Sequence, residues 1–305
     1  PDDPFVIFEP IQKESNADNG KISRKTIIFV RHGESTWNDT FNKGHHRSSL
    51  VFVLGFIPGL IKALSYEFYL LLSGQIDSWF YDSPLSELGL NQVQELGKFL
   101  RHYPHDLTDD EEKLVKIMRG DLDAPESKIV SSSLRRAIST VAAAFSERFE
   151  RRPKDSILIL PSLQEVSRNP DTLSITKPFT AVSASWIEKK SDVCDFPSIF
   201  ANHVSMELHT GNKPMDTNGL KRMEAFCDDV FSSKIKEDNI IVGGHSIWFR
   251  SFFRTFIPYN DEHVAKTNKV VNAGCVAFTL LKAESKNGPK YMIETDSIQV
   301  IYGGF

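Results

Sequence analysis

Short apolar runs recur along this chain, each followed by a histidine or an arginine, and that pattern limits the available folds more than composition does. Lys25-Thr26-Ile27-Ile28-Phe29-Val30 runs directly into Arg31-His32-Gly33-Glu34. Far downstream, Ile240-Ile241-Val242-Gly243-Gly244 delivers His245, after which Ser246, Ile247, Phe249, Ser251 and Phe252 open a helical pattern. Between them, Lys128-Ile129-Val130-Ser131 leads through Ser132, Ser133 and Leu134 to Arg135 and Arg136 in the first turn of another helix. Strand patterns near 25–30, 127–131, 157–160, 239–243 and 275–281 alternate with helical patterns near 86–102, 134–149, 217–235 and 246–256. That alternation predicts an α/β fold, a three-layer α/β/α sandwich on a mostly parallel sheet. Open sheets of this kind gather ligands at the carboxyl ends of their strands, where His32, His245 and the two arginines fall.

The candidate residues run from His32 to His245, so no cut between them leaves a site on one side, and residues 25–305 are expected to form one domain behind an extended lead-in over 1–24. With 36 basic and 40 acidic residues the net charge is −4, which argues against nucleic-acid binding through a broad cationic face. Cys194, Cys227 and Cys275 are odd in number and widely spaced, as expected for free thiols in a reducing compartment, cytoplasmic or organellar. No Cys/His spacing resembles a zinc site, and His45-His46 are neighbours whose side chains point apart, so no metal or other cofactor is expected. The segment 106–125, with Thr108-Asp109-Asp110-Glu111-Glu112, reads as a capped, acid-rich surface excursion. Residues 167–216 carry Pro170, Pro178, Pro197 and Pro214 and follow no regular period; they read as a variable cap beside the site.

An insertion at about 41–78 is strongly apolar: Leu50 to Ile61 holds no charge, and Ala63 to Leu72 holds one, Glu67. A run of roughly 20 such residues is long enough to cross a bilayer. A single crossing, however, would place His32 and His245 on opposite sides of it. Division at Pro58-Gly59 into two short arms leaves two readings, an apolar lid on the domain or a monotopic hairpin contacting a membrane surface or a hydrophobic protein partner through residues 49–73. Lys43, His45, His46 and Arg47 just before it suit anionic headgroups.

Several of these segments together resemble the histidine phosphatase superfamily, the group that includes phosphoglycerate mutases. Arg31-His32-Gly33-Glu34-Ser35-Thr36-Trp37-Asn38 is similar to its nucleophile motif, and Asp82-Ser83-Pro84-Leu85-Ser86-Glu87-Leu88-Gly89-Leu90-Asn91-Gln92 to the segment that follows. Ser132 to Thr140 resembles the stretch carrying the second phosphate-binding arginine, which falls on Arg136 and leaves Arg135 as its structural neighbour. Leu163-Gln164-Glu165 matches the proton donor, Val242-Gly243-Gly244-His245-Ser246 the second histidine, and Val271-Asn272-Ala273-Gly274-Cys275 the approach to the last core strand. The resemblance spans roughly residues 25 to 282 and implies a phosphoglycerate mutase-like fold.

It also implies a metal-independent phosphomonoester hydrolase working on a small phosphorylated substrate. Arg31 and Arg136 would clamp the phosphate, because a guanidinium fork stays charged and binds two oxygens at once. His32 would be the nucleophile, its remote ring nitrogen held by a backbone carbonyl, with His245 on the equatorial oxygens and Glu165 supplying the leaving-group proton. Ser35, Asn38 and Ser246 stand in first turns after strands, where they either donate to phosphate or act as ordinary caps. Two other functions remain open: a phosphoglycerate mutase-type phosphotransferase, and a scaffold subunit of a membrane assembly that keeps the fold. The absence of a longer Tyr-Gly-containing stretch after Glu165 favours hydrolysis.

Overall fold

The computed structural model describes residues 22–43, 48–104, 106–214, 218–285 and 288–305. Most of the predicted lead-in, together with His45, His46 and Arg47, lies outside them. β1 (Ile22–Arg31) is apolar on both faces, with Ile27 to Val30 fully buried, which is the signature of a strand inside a covered sheet. It pairs in parallel with β5 (Asn239–Gly244), Ile28 opposite Ile241 and Arg31 opposite Gly244. On its other side runs β6 (Cys275–Ser285), antiparallel. β5 continues the parallel array to β2 (Ser127–Ser131), followed by β3 (Ile157–Ile159) and the two-residue β4 (Val204–Ser205). β7 (Gly288–Tyr302) closes the far edge against β6, giving the order β4-β3-β2-β5-β1-β6-β7.

The two faces carry separate cores. Ile28, Val30, Ile129 and Ile241 pack against α3 (Glu87–Arg101), α4 (Asp109–Arg119) and α5 (Arg135–Ala144). Their alternating neighbours Ile27, Phe29, Val130 and Val242 face α8 (Gly219–Val230) and α9 (Ser246–Phe256). Phe29 stacks on Phe249 at 4.0 Å and meets Phe252, Phe253, Phe278 and Trp248 edge-on. Each fully buried aromatic of this set contributes roughly 1.5–3 kcal/mol of transfer free energy. The three-layer α/β/α sandwich expected from the alternation is the one observed.

Three expectations need correction. The 106–125 segment is no excursion: the Thr108–Glu111 capping box starts α4 as foreseen, but Leu114, Val115, Ile117 and Met118 turn into the core, a stripe that the acidic first turn obscures. The 167–216 cap is not wholly irregular, since it contributes α7 (Phe196–His203) and the edge strand β4. The apolar insertion is no hairpin either. After the short α1 (Thr36–Phe41), α2 runs unbroken from Ser49 to Ser73 through Pro58 and stops at Gly74, whose φ of 64° is the left-handed C-cap conformation. Pro58 removes one backbone donor, a cost that tertiary contacts on both halves of the helix offset: Phe56 against Phe41, and Tyr66 against Trp79 and Trp186. The helix is not buried as a lid would be, for only Ala63 and Leu70 are enclosed.

The loop after β1 is pressed against the first turn of α3, where glycine is a steric requirement. A Cβ on Gly89 would lie 2.0 Å from the Glu34 carbonyl oxygen, and one on Gly33 would lie 2.6 Å from that of Gly89. The Gly89→Ala substitution is therefore expected to destabilise the fold by about 1–3 kcal/mol through overpacking, read as a lower midpoint in urea or thermal unfolding; an unchanged midpoint would mean that the two backbones are free to separate.

Candidate active site

The site is built where three parallel strands end together. The His32 N–H donates to the Gly244 carbonyl at 3.0 Å, and that of Ser132 to the Gly243 carbonyl at 3.0 Å, so one strand end fixes the two beside it. Gly243 and Gly244 leave room for this convergence: a Cβ on either would lie 2.7 Å from Val141 or Phe249. His32 and His245 face one another with ring centroids 5.1 Å apart.

His32 is buried, and its Nδ1 lies 2.5 Å from the Gly33 carbonyl oxygen. An acceptor there makes Nδ1 the protonated nitrogen and leaves Nε2 with the lone pair, a tautomer that the sequence alone does not show. Burial, then the positive charges of Arg136 and Arg31, hold its pKa well below the usual imidazole range, so the ring is neutral at neutral pH. His245 is fully enclosed and shifted in the same direction, by burial first and Arg136 second. Its Nε2 lies 2.8 Å from Ser132 Oγ, and its Nδ1 is without a partner among the described residues.

Glu165 is buried at the end of the segment after β3, its Oε1 accepting from the Val166 N–H at 2.7 Å and the N–H of Ile247, in the first turn of α9, also bearing on it. Burial raises its pKa, outweighing these N–H groups and the charge of Arg136. Arg31 is half-buried, donates from Nη1 to the Val270 carbonyl at 2.6 Å, and has its pKa lowered to about 10 by burial against the opposing influence of Glu165 and Glu34.

The neighbouring arginines at the start of α5 divide their work. Arg135 bonds to Asp77 at 2.8 Å and to the Asp82 carbonyl from Nε and Nη2, while Asp82 Oδ1 accepts its backbone N–H at 2.9 Å and so caps the helix. The charge of Arg136 bears on both histidines, and its Nε has no partner among the described residues. Its other guanidinium nitrogens meet Asp171, with the main-chain oxygen at 2.7 Å and the carboxylate at 3.3 Å.

Of the residues singled out in the sequence, His32, His245, Glu165, Arg31 and Arg136 come together at these strand ends. Ser35 is enclosed and its Oγ accepts the Asn38 N–H at 3.3 Å, the capping role for α1. Asn38 is half-buried with Oδ1 accepting from Asn42, and Ser246 is the first residue of α9 after His245. Sequence reasoning gave no role to Ser132, Asp171 or Lys213. Ser132 stood inside a recognised motif, and its place after β2 was its only signal. Asp171 and Lys213 lie in the cap segment, where no periodicity points at the site. Lys213 Nζ donates to the carbonyls of Glu165 and Ser167 and to Thr172 Oγ1, and burial brings its pKa down to about 8. Among the described residues no group of three or more His, Cys, Asp or Glu side chains is placed to hold a metal ion.

No protein-family model matches the chain, and no curated protein matches it. Solved structures similar to it include a candidate alpha-ribazole-5'-P phosphatase from Escherichia coli K-12, at 15% identity, covering 88% of this chain and 95% of that one, with a TM-score of 0.40. A mycobacterial glucosyl-3-phosphoglycerate phosphatase in complex with VO3 is similar at 12% identity, covering 89% and 98% of the two chains, with a TM-score of 0.40. A phosphoserine phosphatase from Entamoeba histolytica in complex with 3-phosphoglyceric acid is similar at 12% identity, covering 83% and 89%, with a TM-score of 0.37.

Because the Asp171 carboxylate meets Nη2 of Arg136, an oxyanion approaching that nitrogen would compete with it. Asp171→Asn keeps the shape and removes the competing charge. Inorganic phosphate is then expected to bind more tightly, on the order of tenfold or about 1.4 kcal/mol, measured by calorimetric titration of the two proteins; weaker binding would mean instead that the carboxylate holds Arg136 in its binding orientation.

Proposed function

We propose that this chain is a histidine phosphatase that hydrolyses small phosphomonoesters through a phosphohistidine formed on His32. The observation that carries the reading is the state of that ring: buried, neutral beside two guanidiniums, and fixed through Nδ1 so that the Nε2 lone pair is available. Phosphoryl transfer asks a protein mainly for position and charge neutralisation. Arg31 and Arg136 supply the positive charge around the phosphoryl oxygens, with His245 as a further donor and the first turn of α9, beginning at Ser246, behind it. Asn38, in the first turn after the β1 loop, would donate an amide hydrogen to the same group. Ser35 serves this region by capping α1.

In the first step Nε2 of His32 attacks phosphorus and the ester P–O bond breaks. The departing oxygen takes a proton from Glu165, whose raised pKa keeps its carboxyl protonated to higher pH than an exposed glutamate. In the second step Glu165, now a carboxylate, accepts a proton from water as that water attacks phosphorus; the N–P bond breaks, and phosphate and the neutral imidazole are released. The cations in this scheme are guanidiniums, so turnover is expected to survive EDTA.

His32→Ala is expected to abolish both inorganic phosphate release from an aryl phosphate and the trapped phosphoenzyme; a trapped phosphoenzyme in that variant would remove His32 as nucleophile. For Glu165 the sign of the pH effect follows from its raised pKa. The acid form is present below that pKa and lost above it, so the rate with an alkyl phosphate should fall as pH rises through it. Glu165→Gln should flatten that alkaline limb and lower kcat by about 10²- to 10⁴-fold, with a smaller loss for p-nitrophenyl phosphate, whose leaving group needs little protonation. Equal losses for both substrates would deny Glu165 the acid role.

A further inference from the structure

α2 is the feature the proposed chemistry leaves unused. Its domain side is fixed: Glu67 turns inward to accept from Ser78 Oγ and from the backbone N–H groups of Trp79 and Phe80, and Phe56, Ala63, Tyr66 and Leu70 fall on the same stripe. The opposite stripe, Leu54, Ile57, Ile61, Leu64, Phe68 and Leu72, has each side chain more than half exposed. Among the described residues α2 is the one helix long and apolar enough to cross a bilayer, with a mean hydropathy of 1.7 over its 18-residue window and 6% of that window buried. An exposed apolar surface of this extent on a monomer marks a contact site.

We propose that the outer face of α2 docks in the plane of a lipid bilayer, making this a monotopic membrane-surface protein. Both ends of the helix return to the same α/β domain, Ser49 a few residues after α1 and Gly74 just before the Asp77–Asp82 segment that Arg135 holds, so the helix lies along the domain and does not thread a membrane. At 1.5 Å per residue its 25 residues cover roughly 37 Å of surface. Lipid fits this face better than a second copy of the chain does. The six side chains of the outward stripe carry no hydrogen-bonding group to fix the register of a protein partner, and the exposed hydroxyls of Ser65 and Tyr69 stand at its edge, where a headgroup layer would meet them. The helix's one base is Lys62, on the flank of the stripe with its Nζ 5.4 Å from the Trp79 ring centroid, Lys43 stands on the approach to it, and the single acid is the inward-facing Glu67; the sign is complementary to anionic headgroups. α2 is seated on the domain through Phe56 on Phe41 of α1 and through Tyr66 on Trp186 of the cap, which leaves the outward stripe as its membrane face.

Flotation of the full chain with phosphatidylcholine vesicles, with and without phosphatidylserine, tests this without reference to turnover and so stands apart from the proposed phosphatase chemistry. Binding is expected, stronger with phosphatidylserine. Ile57→Glu and Leu64→Glu should each weaken it by roughly tenfold or more while aryl phosphate turnover in solution stays unchanged, since neither side chain touches the site. Phe68→Trp, quenched by brominated lipid, should report a shallow depth shared by probes at both ends of the helix. Absence of vesicle binding by the unmodified chain would overturn the proposal. So would a dimer in solution that the glutamate variants dissolve without vesicle binding ever appearing, or helix ends that report opposite leaflets.

Discussion

Everything at the site depends on the hydrogen-bonded register of one strand. β5 lies between β1 and β2, and the carbonyls of Gly244 and Gly243 receive the N–H groups of His32 and Ser132. A parallel ladder repeats every two residues, so a slip of one would turn His32 to the other face of the sheet. The slip is resisted by the two cores: Ile28 and Ile241 belong to one, Phe29 and Val242 to the other, and an exchange would unpack both together. The facing imidazoles are thus positioned by apolar packing three and four residues before them on their strands.

Charge is arranged with equal economy around two consecutive arginines. Both are buried, and burying an unpaired guanidinium is costly. Arg135 is permanently neutralised by Asp77 and Asp82. The two aspartates also accept from the cap, Asp77 from the Trp186 N–H and Asp82 from the Ile175 N–H, so one cation ties together α5, the end of the insertion and the cap. Arg136 has Asp171, on a short cap turn. The same residue type, one position apart, is thus held by two aspartates from the segment before α3 in one case and by one from the cap in the other.

How much of this the sequence revealed follows from how local each cause is. β1, β2, β3, β5 and the start of β6 are continuous apolar runs, and α3, α8 and α9 keep a clear helical stripe, so their places were legible to within a few residues. β7 was missed because Thr295, Asp296 and Ser297, at the shift in its register with β6, and Gln299 interrupt its apolar residues, and β4 because two residues carry no period. The predicted helix over 134–149 is two helices meeting at Phe145, α5 and α6 (Ser146–Arg151). At the site, the carbonyl expected to hold the His32 ring is that of the very next residue, a local feature. Asp171 and Ser132 act on residues 35 and 113 positions away, and no single-chain pattern encodes such distances.

The strand order has a bearing on biosynthesis. β1 leaves the ribosome well before its two neighbours in the sheet, β5 and β6, which are more than 200 residues downstream. Long-range pairing of this kind slows folding. Until residues 239–285 have been translated, the Ile27–Val30 segment has no strand to pair with and needs shielding from other chains, a task suited to a chaperone. A nascent chain truncated before β5 would hold His32 and Arg136 but not the strand whose carbonyls align the ends of β1 and β2.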